Sequence, residues 1–161
     1  MAQELDKIDL QILKILQENG RITNLQLSNE IGLSPAPTLE RVRKLEIAGV
    51  IKAYRAEIDL SRLGYGIRAL VRVGRAEYAR VVKLIEQTPE VINAFNVTGE
   101  DSWVLEIAVI DVAHLDAVVS KFCLLADTST SIVLNAPREN APVLPARQEN
   151  VRPAAHRLIA R

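Results

Sequence analysis

The sequence has little cysteine and no excess of charge: Cys123 is its only cysteine, and 20 Lys and Arg residues balance 20 Asp and Glu. One thiol leaves no intramolecular disulfide and no multi-cysteine metal cluster, which fits a reducing, cytoplasmic location. Cys123 follows Val119 and Phe122 in a helical apolar stretch, so a buried, inert thiol is expected. Zero net charge removes any global attraction to nucleic acid. This argues against a nonspecific DNA coater, and DNA affinity would have to come from a local patch, with several such modules acting together. Long apolar runs are missing too. Charges at helical spacing interrupt residues 5–16, so they do not read as a signal peptide, and no segment approaches a membrane span. Histidine is equally scarce: His114 and His156 have no Ser, Cys or carboxylate partner at a recognisable spacing, and no Walker loop, dinucleotide fingerprint or zinc spacing occurs. The expectation is a non-enzyme needing no cofactor or metal. With 48% apolar and 25% charged residues in 161, the chain has room for two small globular domains.

What is present is concentrated in residues 23–49, TNLQLSNEIGLSPAPTLERVRKLEIAG. Thr23 with Gln26 forms a capping-box pattern that starts one helix, and Gly32 ends it. Ser34 then stands at an N-cap position, with Pro35 first in the next helix and Pro37 inside its first turn, where a missing N–H costs little. The pattern predicts a helix-turn-helix. Before it, residues 5–19 place Leu5, Ile8, Ile12, Leu13 and Leu16 on one helical face, supplying a trihelical core. After Gly49, residues 50–58 are β-branched and partly alternating, which reads as a strand or wing.

On the second helix, Leu39, Val42 and Leu45 are expected to pack inward. The outward side then carries Ala36, Pro37, Glu40 and Lys44, flanked by Arg41 and Arg43. Small residues near the helix start let the backbone approach base edges, the cations suit phosphates or guanine, and Glu40 suits cytosine N4. Thr23, Ser34, Ala36, Pro37, Glu40, Arg41, Arg43 and Lys44 are therefore the candidate contacts to double-stranded DNA. The pattern leaves open which of them reads a base.

Past residues 59–66, read as a linker, strand periodicity at 67–73, helical spacing at 77–87, strands at 91–98 and 102–110 around Gly99, a helix at 112–126 and a strand at 129–134 spell β-α-β-β-α-β. This is the ferredoxin-like order. The fold class is α+β, with a winged helix-turn-helix domain at 1–58 and a ferredoxin-like domain at 67–136. In the strand from Trp103 both faces look apolar, with Val104, Ala108 and Ile110 surrounding Glu106 on the second. Helices cover one face of such a sheet, so the other is expected to meet a second copy. Residues 137–161 contain Pro137, Pro142, Pro145 and Pro153 and more Arg than Glu, which reads as an extended tail.

The stretches LDKIDLQILKILQENGRITNLQLSNEIGLSPAPTLERVRKLEIAGVIKAYRAEID, PEVINAFNVTGEDSWVLEIAVID and TSTSIVLNAPRE resemble the Lrp/AsnC (feast/famine) family of transcriptional regulators over nearly all of residues 4–136. The resemblance implies sheet-paired dimers that assemble further into tetramers or octamers, control by a small-molecule effector, usually an amino acid bound between dimers, and no membrane partner. It places an effector pocket at Thr98, Gly99, Glu100, Asp101, Ser102 and Trp103, with Thr128 and Thr130 from the last strand. Many relatives carry Asp followed by Tyr where this chain has Ser102 and Trp103, so the ammonium anchor would shift to Asp101 and effector identity stays open. A small-molecule-binding or interaction module that has lost DNA binding is the alternative, and a metabolic enzyme the more remote one.

Overall fold

The computed structural model describes residues 5–143. Their contacts divide into two compact units, one holding residues 5–56 with 140–143 and the other Glu57–Glu139.

The first unit has three helices: α1 (Lys7–Glu18), α2 (Asn24–Ile31) and α3 (Pro35–Ile47). α1 begins two residues after Leu5 because Asp6 is its cap. The Asp6 carboxylate accepts the Ile8 and Asp9 N–H groups, and the Asp9 carboxylate accepts the Asp6 N–H in return. α2 opens on the Thr23/Gln26 capping box and ends at Gly32, whose φ of 70° lies in the left-handed region that glycine enters without steric cost. Ser34 caps α3 by backbone conformation alone, since its side chain makes no capping hydrogen bond. Ile12, Leu27, Ile31 and Leu45 form the buried centre, with Leu5, Ile8, Leu13, Leu16 and Val42 packed around it.

Two expectations for this unit need correction. Leu39 is exposed rather than inward-facing, and fully buried Thr38 takes its place, donating its hydroxyl to the Ser34 carbonyl at 3.0 Å. The inward row is therefore Thr38, Val42 and Leu45: Val42 and Leu45 keep their expected places, and the residue before Leu39, about 100° from it on the wheel, completes the row. Residues 50–58 contain no strand. A ladder needs a second strand, and none of the described residues of this unit supplies one. The wing segment is held instead by Ile51, which packs on the helical core, and by Tyr54, whose hydroxyl donates to Glu46 Oε1 at 3.0 Å. Burial, and then this carboxylate, push the Tyr54 phenol up to about 12, so it stays a donor at any ordinary pH.

In the second unit a 3-10 turn at Leu60–Leu63 precedes β1 (Ile67–Val73), α4 (Tyr78–Glu86), β2 (Val91–Asn96), β3 (Trp103–Val109), α5 (Val112–Cys123) and β4 (Thr128–Ile132). The strands form one antiparallel sheet in the order β2-β3-β1-β4, which is the ferredoxin-like topology. Alternation sends Ala69, Val71 and Val73 of β1 and Trp103, Leu105, Ile107 and Val109 of β3 to the helix side. There they bury with Val81 of α4 and Leu115, Val118 and Phe122 of α5. Each buried Val, Leu, Ile or Phe among them contributes about 1.5–3 kcal/mol.

The opposite face is more polar than the strand pattern of β3 alone implied. Residues paired across the ladder share a face, so Arg68, Leu70 and Arg72 lie with Val104, Glu106 and Ala108, and with Asn93 and Phe95 of β2. Arg68 pairs with Glu106 and Glu139, and Asn93 Nδ2 donates to Glu106 Oε2 at 2.8 Å. This polar row crosses an apolar patch in which Leu70 and Phe95 remain 38% and 54% exposed. Ile110 falls beyond the end of β3 and is exposed.

Cys123 is exposed, not buried: it is the last residue of α5, and its Sγ lies 2.9 Å from Thr128 Oγ1. Among the described residues no helix is long and apolar enough to cross a membrane, and no three His, Cys, Asp or Glu residues gather as a metal site. The tail reading for residues 144–161, with Pro145, Pro153 and His156, lies outside the described residues.

Candidate nucleic-acid interface and effector site

The turn between α2 and α3 is fixed from both sides. Asn24, first in α2, donates its side-chain amide to the Pro35 carbonyl at 2.8 Å, and Gly32 and Leu33 return N–H groups to Asn29 and Ser28. Asn24 was not legible as a brace, because its partner is eleven residues away. With the turn held, Ser34, Ala36, Pro37, Glu40, Arg43 and Lys44 are all exposed. Lys44 Nζ stands 3.8 Å from Glu40 Oε1, one helical turn apart, a solvent-exposed pair worth little to stability and open to exchange for a phosphate.

Two of the proposed contacts are otherwise engaged. The Thr23 hydroxyl accepts the Gln26 N–H and donates to Gln26 Oε1. Arg41 does not flank the open side: its Nη1 lies 2.7 Å from Asp6 Oδ2 and 2.8 Å from Asp9 Oδ1. Arg41 lies one turn before Leu45 on the inward side, which brings its guanidinium to the capping carboxylates of α1. The Asp9 N–H first, and then Arg41, hold the Asp6 carboxyl below the usual carboxylate range. A depression in an apolar-and-charged corner of about 260 Å³ collects Asp9, Pro37, Glu40, Arg41, Lys44 and Leu45.

The second cluster gathers at one end of the sheet. Ser102 donates its N–H to the Val73 carbonyl, and its own carbonyl accepts from the Val97 N–H and Asn96 Nδ2, closing the loop that carries Thr98, Gly99 and Glu100. Gly99 has φ 125°, a conformation that side chains rarely adopt, so the loop depends on glycine there. Thr98, Gly99 and Glu100 are exposed, and Asp101 Oδ2 lies 3.9 Å from Arg72 Nε on the open face. Thr128 and Thr130 are paired with Val73 and Val71, which places them on the helix face, and Ser129 and Ser131 face the other way. Within one chain, then, the loop and the last strand share an end of the sheet, but their polar groups are divided between its faces. Trp103 takes the place of a strand-borne core residue, one of the two roles open to it. It is 6% exposed on the helix side, 5.3 Å from the Tyr78 ring, and is core rather than a wall of the site.

His114, which had no partner visible in the sequence, acquires one. The Ile110 N–H points at His114 Nδ1 (3.4 Å), which assigns the ring proton to Nε2, where it donates to Glu90 Oε1 at 3.1 Å. The adjoining hollow is lined by Leu63, Gly64, Tyr65, Pro89 and Ile110, a set without a Ser, Thr or Cys nucleophile, so the pair fastens the turn before β2 to the start of α5. The Glu90 backbone N–H first, then His114 and the Lys121 charge, hold its carboxyl below 4.5 against the opposing effect of burial. Folding lowers this pKa, so the carboxylate's contribution is complete above about pH 4.5 and is lost as pH falls through the folded value. Relative to Glu90→Gln, the natural protein should keep a higher Tm near neutrality, with the gap closing on acidification. A gap that stays constant down to about pH 3 in thermal melts would contradict this.

Comparison with known proteins covers both units. Residues 5–52 match the family model described as winged helix-turn-helix DNA-binding, and residues 68–143 match the Lrp/AsnC ligand binding domain. The leucine-responsive regulatory protein of Rhizobium meliloti is 39% identical over 133 residues, spanning 79% of this chain and 85% of the relative. The Bkd operon transcriptional regulator of Pseudomonas aeruginosa is 37% identical over 122 residues, 73% of this chain and 80% of the relative. Among solved structures, a transcriptional regulator of Neisseria meningitidis in complex with L-methionine superposes with a TM-score of 0.81 at 34% identity, covering 87% of this chain and 96% of that one. A feast or famine regulatory protein of M. tuberculosis complexed with L-methionine also gives 0.81, at 28% identity, over 88% and 100% of the two chains.

Proposed function

The chain belongs to the Lrp/AsnC family of transcriptional regulators, and from that premise we propose that it recognises specific DNA sequences as a sheet-paired dimer, or an assembly of such dimers, under the control of an amino acid. It is a regulator and not an enzyme, with a helix-turn-helix domain and a ligand-binding domain. The observation that carries the DNA reading is the solvent face of α3. Ala36 and Pro37 keep the start of the helix slim, and Glu40, Arg43 and Lys44 follow on the exposed side with their heads in solvent. An effector with both an α-carboxylate and an α-ammonium suits the open-face pair: Arg72 matches the first and Asp101 the second. The division of the polar groups between two sheet faces supports a site completed by another copy of the chain.

The test is a fluorescence titration of the chain against its own upstream DNA, at several salt concentrations and with a panel of amino acids. Steep salt dependence and a shift in affinity with at least one amino acid are expected. Asp101→Asn removes one charge-assisted contact, about 1.5–3 kcal/mol, so the effector midpoint should rise on the order of tenfold or more with the salt slope unchanged. Amino-acid binding without any DNA binding would favour the interaction-module reading instead.

A further inference from the structure

α3 turns a large apolar side chain outward beside its cations. Thr38 is fully buried with its hydroxyl bonded to the Ser34 carbonyl, so the next residue, Leu39, is carried to the surface and left 56% exposed. At about 100° per residue, Ala36 and Arg43 fall only about 60° and 40° from Leu39 around the helix. The three share a side. Leu39 is also the fifth residue of α3, in the half that approaches base edges when such a helix enters the major groove. Its flank borders an apolar hollow of about 170 Å³ with Ile22, Leu27 and Val42, so the surface it offers is wider than one side chain. A single exposed leucine is ordinary on a protein surface. This one stands among the groups that face DNA, where an aliphatic chain neither donates nor accepts a hydrogen bond.

We propose that Leu39 reads a thymine by packing against its C5-methyl group, and so fixes an A·T pair in each half-site. Among the groups that base pairs present in the major groove, that methyl is the apolar one, and the others are hydrogen-bond donors and acceptors. The inference rests on the DNA reading given above and adds a base that Glu40, Arg43 and Lys44 do not select, since their charges match cytosine N4, guanine and phosphate. Ala36, exposed on the same side nearer the helix start, has no bulk to hold the backbone away from the groove floor. Ile47 supplies an internal contrast. It is equally aliphatic and 80% exposed, but it ends α3, about 12 Å further along the axis and out of reach of the same base.

Titration of the full chain against its own upstream DNA, with deoxyuridine replacing thymine one position at a time, tests this, because the exchange removes a methyl group and keeps the base pair. At one position in each half-site the natural chain should lose about fourfold in affinity, the value of one buried methyl group. Leu39→Ala should bind the thymine and uracil versions of that position equally. Leu39→Met, which restores apolar bulk, should recover a preference for thymine, and Ile47→Ala should keep the natural one. Since both side chains are exposed, all three variants should melt near the natural Tm, which separates lost reading from lost folding. Equal binding of thymine and uracil at every position, with tight operator binding retained, would overturn the role of Leu39 and leave the DNA reading standing. So would a methyl preference that survives Leu39→Ala. Absence of any operator binding by the natural chain would instead remove the DNA reading, and this inference with it.

Discussion

Leu70→Asp is expected to give a monomer that has lost 10²- to 10⁴-fold in affinity for its operator. Leu70 lies on the sheet face away from the helices and is 38% exposed, so the separate chain tolerates a carboxylate there with the hydrophobic core on the far side untouched. In a face-to-face pair the same carboxylate would be buried against apolar surface, with the polar row already committed: Arg68 is held by Glu106 and Glu139, and Arg72 faces Asp101. Burying a charge without a partner costs several kcal/mol, more than a marginal dimer can absorb. The effect on DNA is larger than the effect on any single contact, because the second α3 helix then binds as an independent molecule and the advantage of linkage, typically 10²- to 10⁴-fold, disappears. Sedimentation velocity and operator titration should therefore change together. A variant that sediments as a monomer yet binds its operator like the natural chain would refute sheet pairing as the source of affinity. One that remains dimeric would place the interface elsewhere.

Local chemistry made much of this architecture legible. Caps and breakers are short-range, so Thr23, Gly32 and Pro35 mark helix ends that the structure reproduces, and strand alternation gave the ferredoxin-like order. Failures came where the deciding partner is distant in the chain. Arg41 looked like an outward cation until α1, thirty-two and thirty-five residues earlier, presented Asp9 and Asp6 to it. Trp103 sat next to the predicted loop but turned with the alternation of β3 into the core, and Cys123 surfaced because α5 ends on it. The effector cluster was legible only as a set of residues at one end of the sheet. Which face each would take follows from register, as when Thr130 pairs with Val71 and Ser131 with Leu70, and periodicity within one strand cannot supply that.

The displaced role of Arg41 separates two kinds of loss that a simple binding assay would confuse. Arg43→Ala and Lys44→Ala each remove an exposed cation from the solvent side of α3, so each should weaken DNA binding at every sequence and lower the slope of log K against log salt by about 1. Both variants should melt like the natural protein, since surface substitutions of this kind usually stay within about 0.5 kcal/mol. Arg41→Ala should do the opposite. Its guanidinium joins α3 to the cap of α1, and the Asp9 side chain, 13% exposed, would be left without its countercharge. The DNA-binding unit should therefore melt earlier, while the salt slope of whatever remains folded stays at the natural value. Because Arg41 helps depress the Asp6 carboxyl, that variant should also lose some of the stability that the natural protein gives up as pH falls below about 3.8. Operator titrations at three or more salt concentrations, run beside thermal melts, distinguish the cases. A reduced salt slope in Arg41→Ala with an unchanged melting temperature would return that residue to the phosphate backbone.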